Sequence, residues 1–356
     1  METRVTIKDI ALRAGVSPGT VDRVIHGRGN VSPEARAKVE QAMGELHYEP
    51  NIFASTLAYN RTLRVFALLP DYRQDPYWEL PKSGVEQAAH AARHFGVHVE
   101  LFYHGPTGPG QFEAKAMALL DARPDALLIA PLFLEASGNI LQACAKKMVP
   151  VALINTDLED RQALCYVGQD SFHSGALAGK LLQLVLRPED QVAVLNLDNE
   201  IGRARHLLEK ERGLRHYFQQ HGYCAADVLR FDFEHFDSPQ RLKDFLQAIF
   251  QLHPRLCGLF VTNSRSYLVL DALGPEAPAG LRIVGFDLLE PNLRYLEAER
   301  IAFLINQNPA QQGFQAVMSI VDQLIFRKKV ERVQYLPLDI VVAENASYYL
   351  ERKLGG

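Results

Sequence analysis

The stretch from Val5 to Ala58 permits few folds, because its helix starts and stops are written in capping chemistry. Thr6 can cap a short helix whose apolar residues Ile7, Ile10, Ala11 and Ala14 fall at helical spacing. Gly15 stands where a helix end needs a left-handed residue. Ser17 then caps a second helix with Pro18 at its first position, where a missing N–H costs nothing. Val21 and Val24 form its inner face and Gly27 ends it. Two short helices joined by a tight glycine turn make a helix-turn-helix. Ser32-Pro33-Glu34 opens a third helix that closes the small core through Ala35, Val39, Ala42, Met43 and Leu46. Capping alone is equally compatible with an ordinary three-helix bundle, so the next segment matters. Asn51 caps about two turns that run through Ala54 and Leu57. A helix that short does not stand alone in water, so this one is expected to fold only on a partner.

Beyond Arg64 the texture changes to short apolar runs alternating with amphipathic stretches, down to the run at 333–342. That alternation means parallel sheets covered by helices on both faces, an α/β architecture. The strands are too many for one compact sheet, which predicts two similar lobes. A chain of 356 residues with 47% hydrophobic and 22% charged content suits such a globular body. The formal net charge of −4 provides no overall field toward nucleic acid. Even the first fifty residues balance seven Lys/Arg against seven Asp/Glu, so any DNA contact must come from placed groups such as Arg4, Arg23 and Arg28. Cys144, Cys165, Cys224 and Cys257 show no metal spacing and read as reduced core thiols. No signal peptide opens the chain and no run has the length of a membrane span, so a cytoplasmic setting without membrane contact is expected.

The first 58 residues closely resemble the lactose-repressor (LacI) family of transcriptional regulators. The resemblance rests on the Val5–Ala14 helix, the Gly15-Val16-Ser17 turn, Thr20-Val21 with Arg23-Val24, the Val31-Ser32-Pro33 start of helix three, and Glu45 through Asn51 to Leu57-Ala58. It extends to the type I periplasmic-binding-protein fold through Val284-Gly285-Phe286-Asp287 and Phe303-Leu304-Ile305-Asn306-Gln307. It implies a helix-turn-helix domain over residues 1–49, a hinge helix and linker over 50–62, and two doubly wound parallel-sheet lobes over 63–356. The lobes are expected at 63–165 with 296–325, and at 166–290 with 326–356. The chain would cross between them near 165–168, 289–296 and 323–327. Double-stranded operator DNA is the implied partner. Its candidate contacts are Thr6, Ser17, Pro18, Gly19, Thr20, Asp22, Arg23 and Arg28, with Asn51, Ala54 and Leu57 from the hinge. By the resemblance Pro18, Gly19 and Arg23 face base edges, and Leu57 wedges into the minor groove, unstacking a base step. Two departures stand out. Asp22 replaces a common serine, and either accepts from a cytosine amino group or caps a neighbour, the second being favoured. Ser55 replaces a common arginine, so no operator sequence carries over.

Ligands of open parallel sheets lie beyond the carboxyl ends of the strands. Here those ends carry Asp71, Asn155, Asp157, Asp170, Asp198, Asn263, Asp287 and Gln307. Any one of them alone reads as a loop cap; their collective placement points to a cleft. Carboxylates suit polyhydroxylated ligands because each accepts several hydroxyl hydrogens. Asp75-Pro76-Tyr77-Trp78 adds the only tryptophan, which either stacks on a sugar face or packs its own lobe. The resemblance implies effector contacts at Asn263, Asp287 and Gln307, and an arginine where this chain has Lys210, three residues before Gly213. Lysine lacks the guanidinium fork, leaving Arg203, Arg205 or His206 as possible substitutes. The candidate effector set is thus Asp75, Tyr77, Trp78, Asp157, Arg205, Lys210, Asn263, Asp287 and Gln307. No phosphate-binding loop, nucleophile elbow or metal set points to an enzyme, and no cofactor or metal is expected. The expectation is a homodimeric, sequence-specific regulator controlled by a small polar effector, a sugar being the leading class. A transport-type sugar-binding protein is the first rival and a sugar-modifying enzyme the second.

Overall fold

The computed structural model describes residues 5–25, 29, 31–46, 62–105, 108–158, 162–198, 205–222 and 228–349. The chain divides into two units, Met1–Arg61 and Thr62–Gly356. In the first, α1 (Ile7–Ala14) opens on a reciprocal cap: Thr6 Oγ1 accepts from Asp9 N, and Thr6 N donates to Asp9 Oδ2 at 2.8 Å. Gly15 follows at φ 65, the left-handed turn that sequence demanded. Helix α2 (Pro18–Ile25) starts with Thr20 N donating to Ser17 Oγ at 3.2 Å, and α3 (Pro33–Glu45) with Ala35 N donating to Ser32 Oγ at 3.3 Å. Their inner faces meet in a core of Ile10, Ala11, Ala14, Val21, Val24, Val39 and Ala42. The Gly27 stop, Cys224 and the hinge helix lie outside the described residues.

The second unit holds two six-stranded sheets. The first has β1 (Leu63–Pro70), β2 (Val97–His104), β3 (Ala126–Ile129), β4 (Val151–Ile154), β5 (Cys165–Gly168) and β11 (Val333–Tyr335), in the spatial order β11-β5-β4-β3-β1-β2. The second has β6 (Gln191–Leu197), β7 (Val228–Phe233), β8 (Leu256–Val261), β9 (Arg282–Phe286), β10 (Phe303–Asn306) and β12 (Asp339–Val341), ordered β12-β10-β9-β8-β6-β7. All pairings are parallel except β10 with β12. Strand β1 shows why its sequence is a continuous apolar run. Val65, Ala67 and Leu69 point into one core, with helices α4 (Glu79–Ala92) and α12 (Pro309–Leu324), while Phe66 and Leu68 point into another, with α5 (Pro109–Asp121) and α6 (Leu134–Lys146). The second lobe repeats this. Helices α7 (Ser171–Val185) and α8 (Arg205–Gln220) cover one face; α9 (Pro239–Leu252), α10 (Ser266–Leu273) and α11 (Glu290–Glu297) cover the other. Cys144 and Cys165 are buried in the first lobe, whereas Cys257 is only partly buried, short of the core setting expected of it.

Two of the three crossings between lobes differ from expectation, and so do the lobe boundaries. Strand β5 pairs with β4, so it belongs to the first lobe and the first crossing is the short link from Gly168 to Ser171. Strand β10 pairs with β9, so the first lobe does not resume at residue 296; the chain returns only at Gln307-Asn308, before Pro309. Asn308 takes a left-handed φ of 53 there, and its Nδ2 donates to Pro337 O at 3.0 Å. The run at 333–342 is two strands in different sheets rather than one, split at Leu336-Pro337-Leu338. Proline removes a ladder donor and ends the first of them. That link is the third crossing, not 323–327, which closes helix α12. The crossings lie side by side: Leu336 N donates to Gly168 O at 2.8 Å, and Asn306 and Asn308 both donate to Asp339 Oδ2.

Candidate functional site

Residues just past the ends of β1, β4, β6, β8 and β9 line a cavity of about 390 Å³ between the lobes. Its floor is a buried chain of side-chain hydrogen bonds through two crossings. Gln169 Nε2 donates to Gln307 Oε1 at 2.6 Å, and Gln307 Nε2 donates to Asp287 Oδ2 at 2.9 Å. Asp287 sits at φ 65, one residue past β9, and is 1% exposed. Its second oxygen, Oδ1, is buried without a hydrogen-bond partner among the described residues, as is Gln169 Oε1. Burial raises the Asp287 carboxyl to about 7, against the pull of Gln307 and of the Lys210 ammonium. Lys210, on α8, is equally buried; its Nζ donates to Thr262 O at 2.7 Å and lies 3.5 Å from the Phe286 ring centroid. Burial lowers it to about 7, with Asp287 opposing. Burial therefore opposes the charged form of two ionisable groups beside one cavity.

The walls come from both lobes. Asp75 Oδ1 accepts from Tyr77 N at the start of a single 3₁₀ turn, while Asp75 Oδ2 accepts from Arg265 Nη2 at 2.8 Å across the cleft. Arg265 is anchored by Leu197 O at 2.8 Å and Asp198 at 3.3 Å, and stacks over Phe236. A second bridge joins Thr156 Oγ1 to His206 Nδ1 at 3.2 Å. Burial, reinforced by the Lys210 charge, pushes His206 down to about 4. Asn155 Nδ2 donates to the Tyr77 hydroxyl at 2.8 Å, and burial raises that hydroxyl well above its usual range. Trp78 is 4% exposed and packs edge-on to Tyr77, so its ring mainly serves the lobe core although the residue also lines the cavity. At the rim Arg73 holds Asp71 in two side-chain bonds and depresses its carboxyl to about 2.

Of the candidate effector residues, Asp75, Tyr77, Trp78, Lys210, Asn263, Asp287 and Gln307 line this cavity. Asp157 and Arg205 do not; they line an adjacent pocket of about 260 Å³. Asn263 is already engaged, donating to Leu197 O and accepting from Arg265 N. Arg265 and Gln169 escaped the sequence reading. The signal for Arg265 was its place two residues beyond Asn263 at a strand end; its partner Asp75 is 190 residues away. In the helical unit Thr6, Ser17, Pro18, Gly19 and Arg23 are exposed, while Thr20 and Asp22 are half-buried. Arg23 Nε donates to Gly19 O at 3.2 Å, which pins the guanidinium along α2. Arg28, Asn51, Ala54 and Leu57 lie outside the described residues.

Residues 6–51 match the family model described as bacterial regulatory proteins, lacI family, and residues 66–328 match a periplasmic binding protein domain. The chain is similar to the HTH-type transcriptional regulator MalR of Streptococcus pneumoniae, 23% identical over 339 residues that cover 94% of this chain and 97% of the relative. It is 27% identical to the ribose operon repressor of Lactococcus lactis over 361 residues, covering 95% and 97% respectively. A solved structure assigned provisionally to a LacI transcriptional regulator from Bacteroides fragilis superposes with a TM-score of 0.75 at 26% identity, covering 81% of this chain and all of that one.

Proposed function

Since the chain belongs to the lacI family of bacterial regulatory proteins, we propose that the inter-lobe cavity is the site through which a small neutral polyhydroxylated effector, a sugar, controls its operator affinity. One observation carries this reading: Asp287 lines the cavity and its buried Oδ1 has no hydrogen-bond donor among the described residues, although burying an acceptor unpaired costs about 1–3 kcal/mol. A ligand hydroxyl supplies the missing donor, and Gln169 Oε1 takes a second. Five carboxylates line the cavity (Asp71, Asp75, Asp198, Asp237 and Asp287) against Lys210 and Arg265, a balance that disfavours an anionic ligand. Tyr77 and Trp78 offer an apolar edge for a ring face.

Control follows from linkage. The effector and the operator favour different separations of the lobes, and tenfold preference of the effector for one state shifts the equilibrium by about 1.4 kcal/mol. Ser17, Pro18, Gly19 and Arg23 supply the exposed edge proposed to read the major groove, and Leu57 the proposed minor-groove wedge. A homodimer on a near-palindromic operator in the cytoplasm completes the proposal. A transport-type binding protein shares such a cavity but has no use for a helix-turn-helix unit. An enzyme finds no support in the relatives, which are transcriptional regulators, and no helix among the described residues is long and apolar enough to cross a membrane.

The test is a thermal-shift screen against neutral sugars, sugar phosphates and amino acids. Neutral sugars should raise the melting temperature of the parent by mass action, and Asp287→Ala should remove the shift. Stabilisation by sugar phosphates alone would refute the neutral-ligand reading.

A further inference from the structure

Beside the effector cavity lies the second pocket, and the two share Gln169 and His206 as a common wall. That wall is thin. Thr156 reaches it from the first lobe and His206 from the second, joined by the single 3.2 Å hydrogen bond. Thr156 Oγ1 donates its hydrogen to Asn155 Oδ1, so it is His206 Nδ1 that donates to Thr156. Behind it the Tyr166 hydroxyl shares its one hydrogen between the Asn155 and Gln169 carbonyl oxygens, which ties the backbone on the two sides of the wall together. Parting Thr156 from His206 would break a neutral hydrogen bond, at a net cost of about 0.5–1.5 kcal/mol.

The far compartment has its own recognition chemistry. Tyr335 is 56% exposed and Phe172 half-buried on its lining, two aromatic surfaces in a pocket otherwise rich in polar groups. Asp157, Glu209 and Arg205 add hydroxyl acceptors and a planar donor. Gln169, 2% exposed, belongs to both linings, and its buried Oε1 has no donor among the described residues. Aromatic faces flanked by carboxylates and a guanidinium suit a pyranose ring, whose C–H face stacks while its equatorial hydroxyls bond sideways.

Resting on the effector reading above, we propose that the cleft is a two-compartment site for a disaccharide. One ring occupies the Asp287 cavity, the other lies against Tyr335 and Phe172, and the glycosidic oxygen passes the His206–Thr156 gate. Lys210 and Gln307 serve the first ring; Asp157 and Arg205 serve the second. This assigns Asp157 and Arg205 a role in binding that the first cavity alone denies them.

Calorimetric titration with glucose, galactose, mannose, maltose, cellobiose, lactose and melibiose tests it. At least one disaccharide should bind ten times or more tightly than either of its component monosaccharides. Tyr335→Ala and, separately, Arg205→Gln should weaken that disaccharide tenfold or more while leaving the monosaccharides within twofold. Thermal melts of both variants, matched to the parent, exclude loss of fold. Monosaccharides that bind as well as every disaccharide would overturn the second compartment and leave the effector reading standing. Equal weakening of both classes by the two variants would also overturn it. Absence of binding by any sugar would overturn both.

Discussion

Replacing Gly213 by alanine puts a methyl group where the Phe172 carbonyl oxygen already lies. Helices α7 and α8 cross at a pair of glycines, Gly175 against the Lys210 backbone and Gly213 against Phe172 O, and a Cβ at either would fall inside van der Waals contact with backbone. A backbone carbonyl cannot rotate aside as a side chain does, so the helices must part by roughly an ångström. Overpacking of this kind costs about 1–3 kcal/mol, and this case belongs at the upper end because two helices rather than one rotamer must move. For a unit of this size about 3 kcal/mol lowers the melting temperature by roughly 5 °C. The effect reaches the site, since Lys210 lies one turn before Gly213 and its Nζ depends on that helix position to reach Thr262 O. Effector affinity should therefore fall along with stability. Differential scanning calorimetry of Gly213→Ala beside Gly280→Ala checks the reasoning. Gly280 is exposed, has nothing within 4 Å of its would-be Cβ and does not adopt the left-handed region, so its substitution should leave the melt within a degree or two. A Gly213→Ala melt as high as that of Gly280→Ala would refute the close-approach argument.

Other outcomes follow from the same geometry. The ionised Asp287 carboxylate accepts from effector hydroxyls more strongly than the neutral acid does, so with a folded-state value raised to about 7 effector affinity should fall as pH drops below 7. Its effect on folding has the opposite sign. A carboxyl raised from 3.8 to about 7 favours the empty folded state below the unfolded value, and that contribution is lost as pH rises through 7. Titrations from pH 5.5 to 8.5 read the first effect, and Asp287→Asn should flatten them. Lys210→Met removes a desolvated charge while filling its volume, so its stability should stay within about 2 kcal/mol of the parent, and the pH midpoint of effector binding should move upward as Asp287 loses its neighbouring cation. Arg23→Ala should relax base preference at one position per half-site by about 1–3 kcal/mol if the guanidinium reads a base, or weaken all sequences equally with a shallower salt slope if it clamps phosphate. Operator mutants at two salt concentrations separate the two, and no change in either removes Arg23 from the interface.

What was legible in the sequence was local. Thr6 with Asp9, Gly15 after α1, and Ser17-Pro18 and Ser32-Pro33 ahead of the next helices fix their structure through atoms three or four residues apart, and the caps form as those residues dictate. The alternation of apolar runs likewise gave two parallel-sheet lobes. Allocation of strands to lobes was not legible, because Phe303–Asn306 is equally apolar whichever sheet it joins; only pairing with β9 decides. The turn chemistry of Asn308 and Pro309, and Pro337 within an apparent strand, were the available signals. In the cleft, strand-end position correctly flagged Asp287 and Gln307 as lining, but it says nothing about what faces them. The Asp75–Arg265 bridge and the His206–Thr156 gate join residues far apart in sequence and arise only when the lobes meet. Asp157 illustrates the limit: it too follows a strand end, yet it falls on the far side of the wall.

The central claim is that occupancy of the inter-lobe cavity changes operator affinity. Fluorescence anisotropy with an operator selected from random DNA, with and without the best sugar of the thermal screen, tests it most directly when run on the parent and on Asp287→Ala in parallel. The account predicts that the sugar shifts the operator affinity of the parent at least tenfold. It predicts that Asp287→Ala binds operator like the effector-free parent and does not respond. A mutant that responds at the same sugar concentration as the parent, or a parent whose operator affinity is indifferent to a sugar that demonstrably binds, would contradict it.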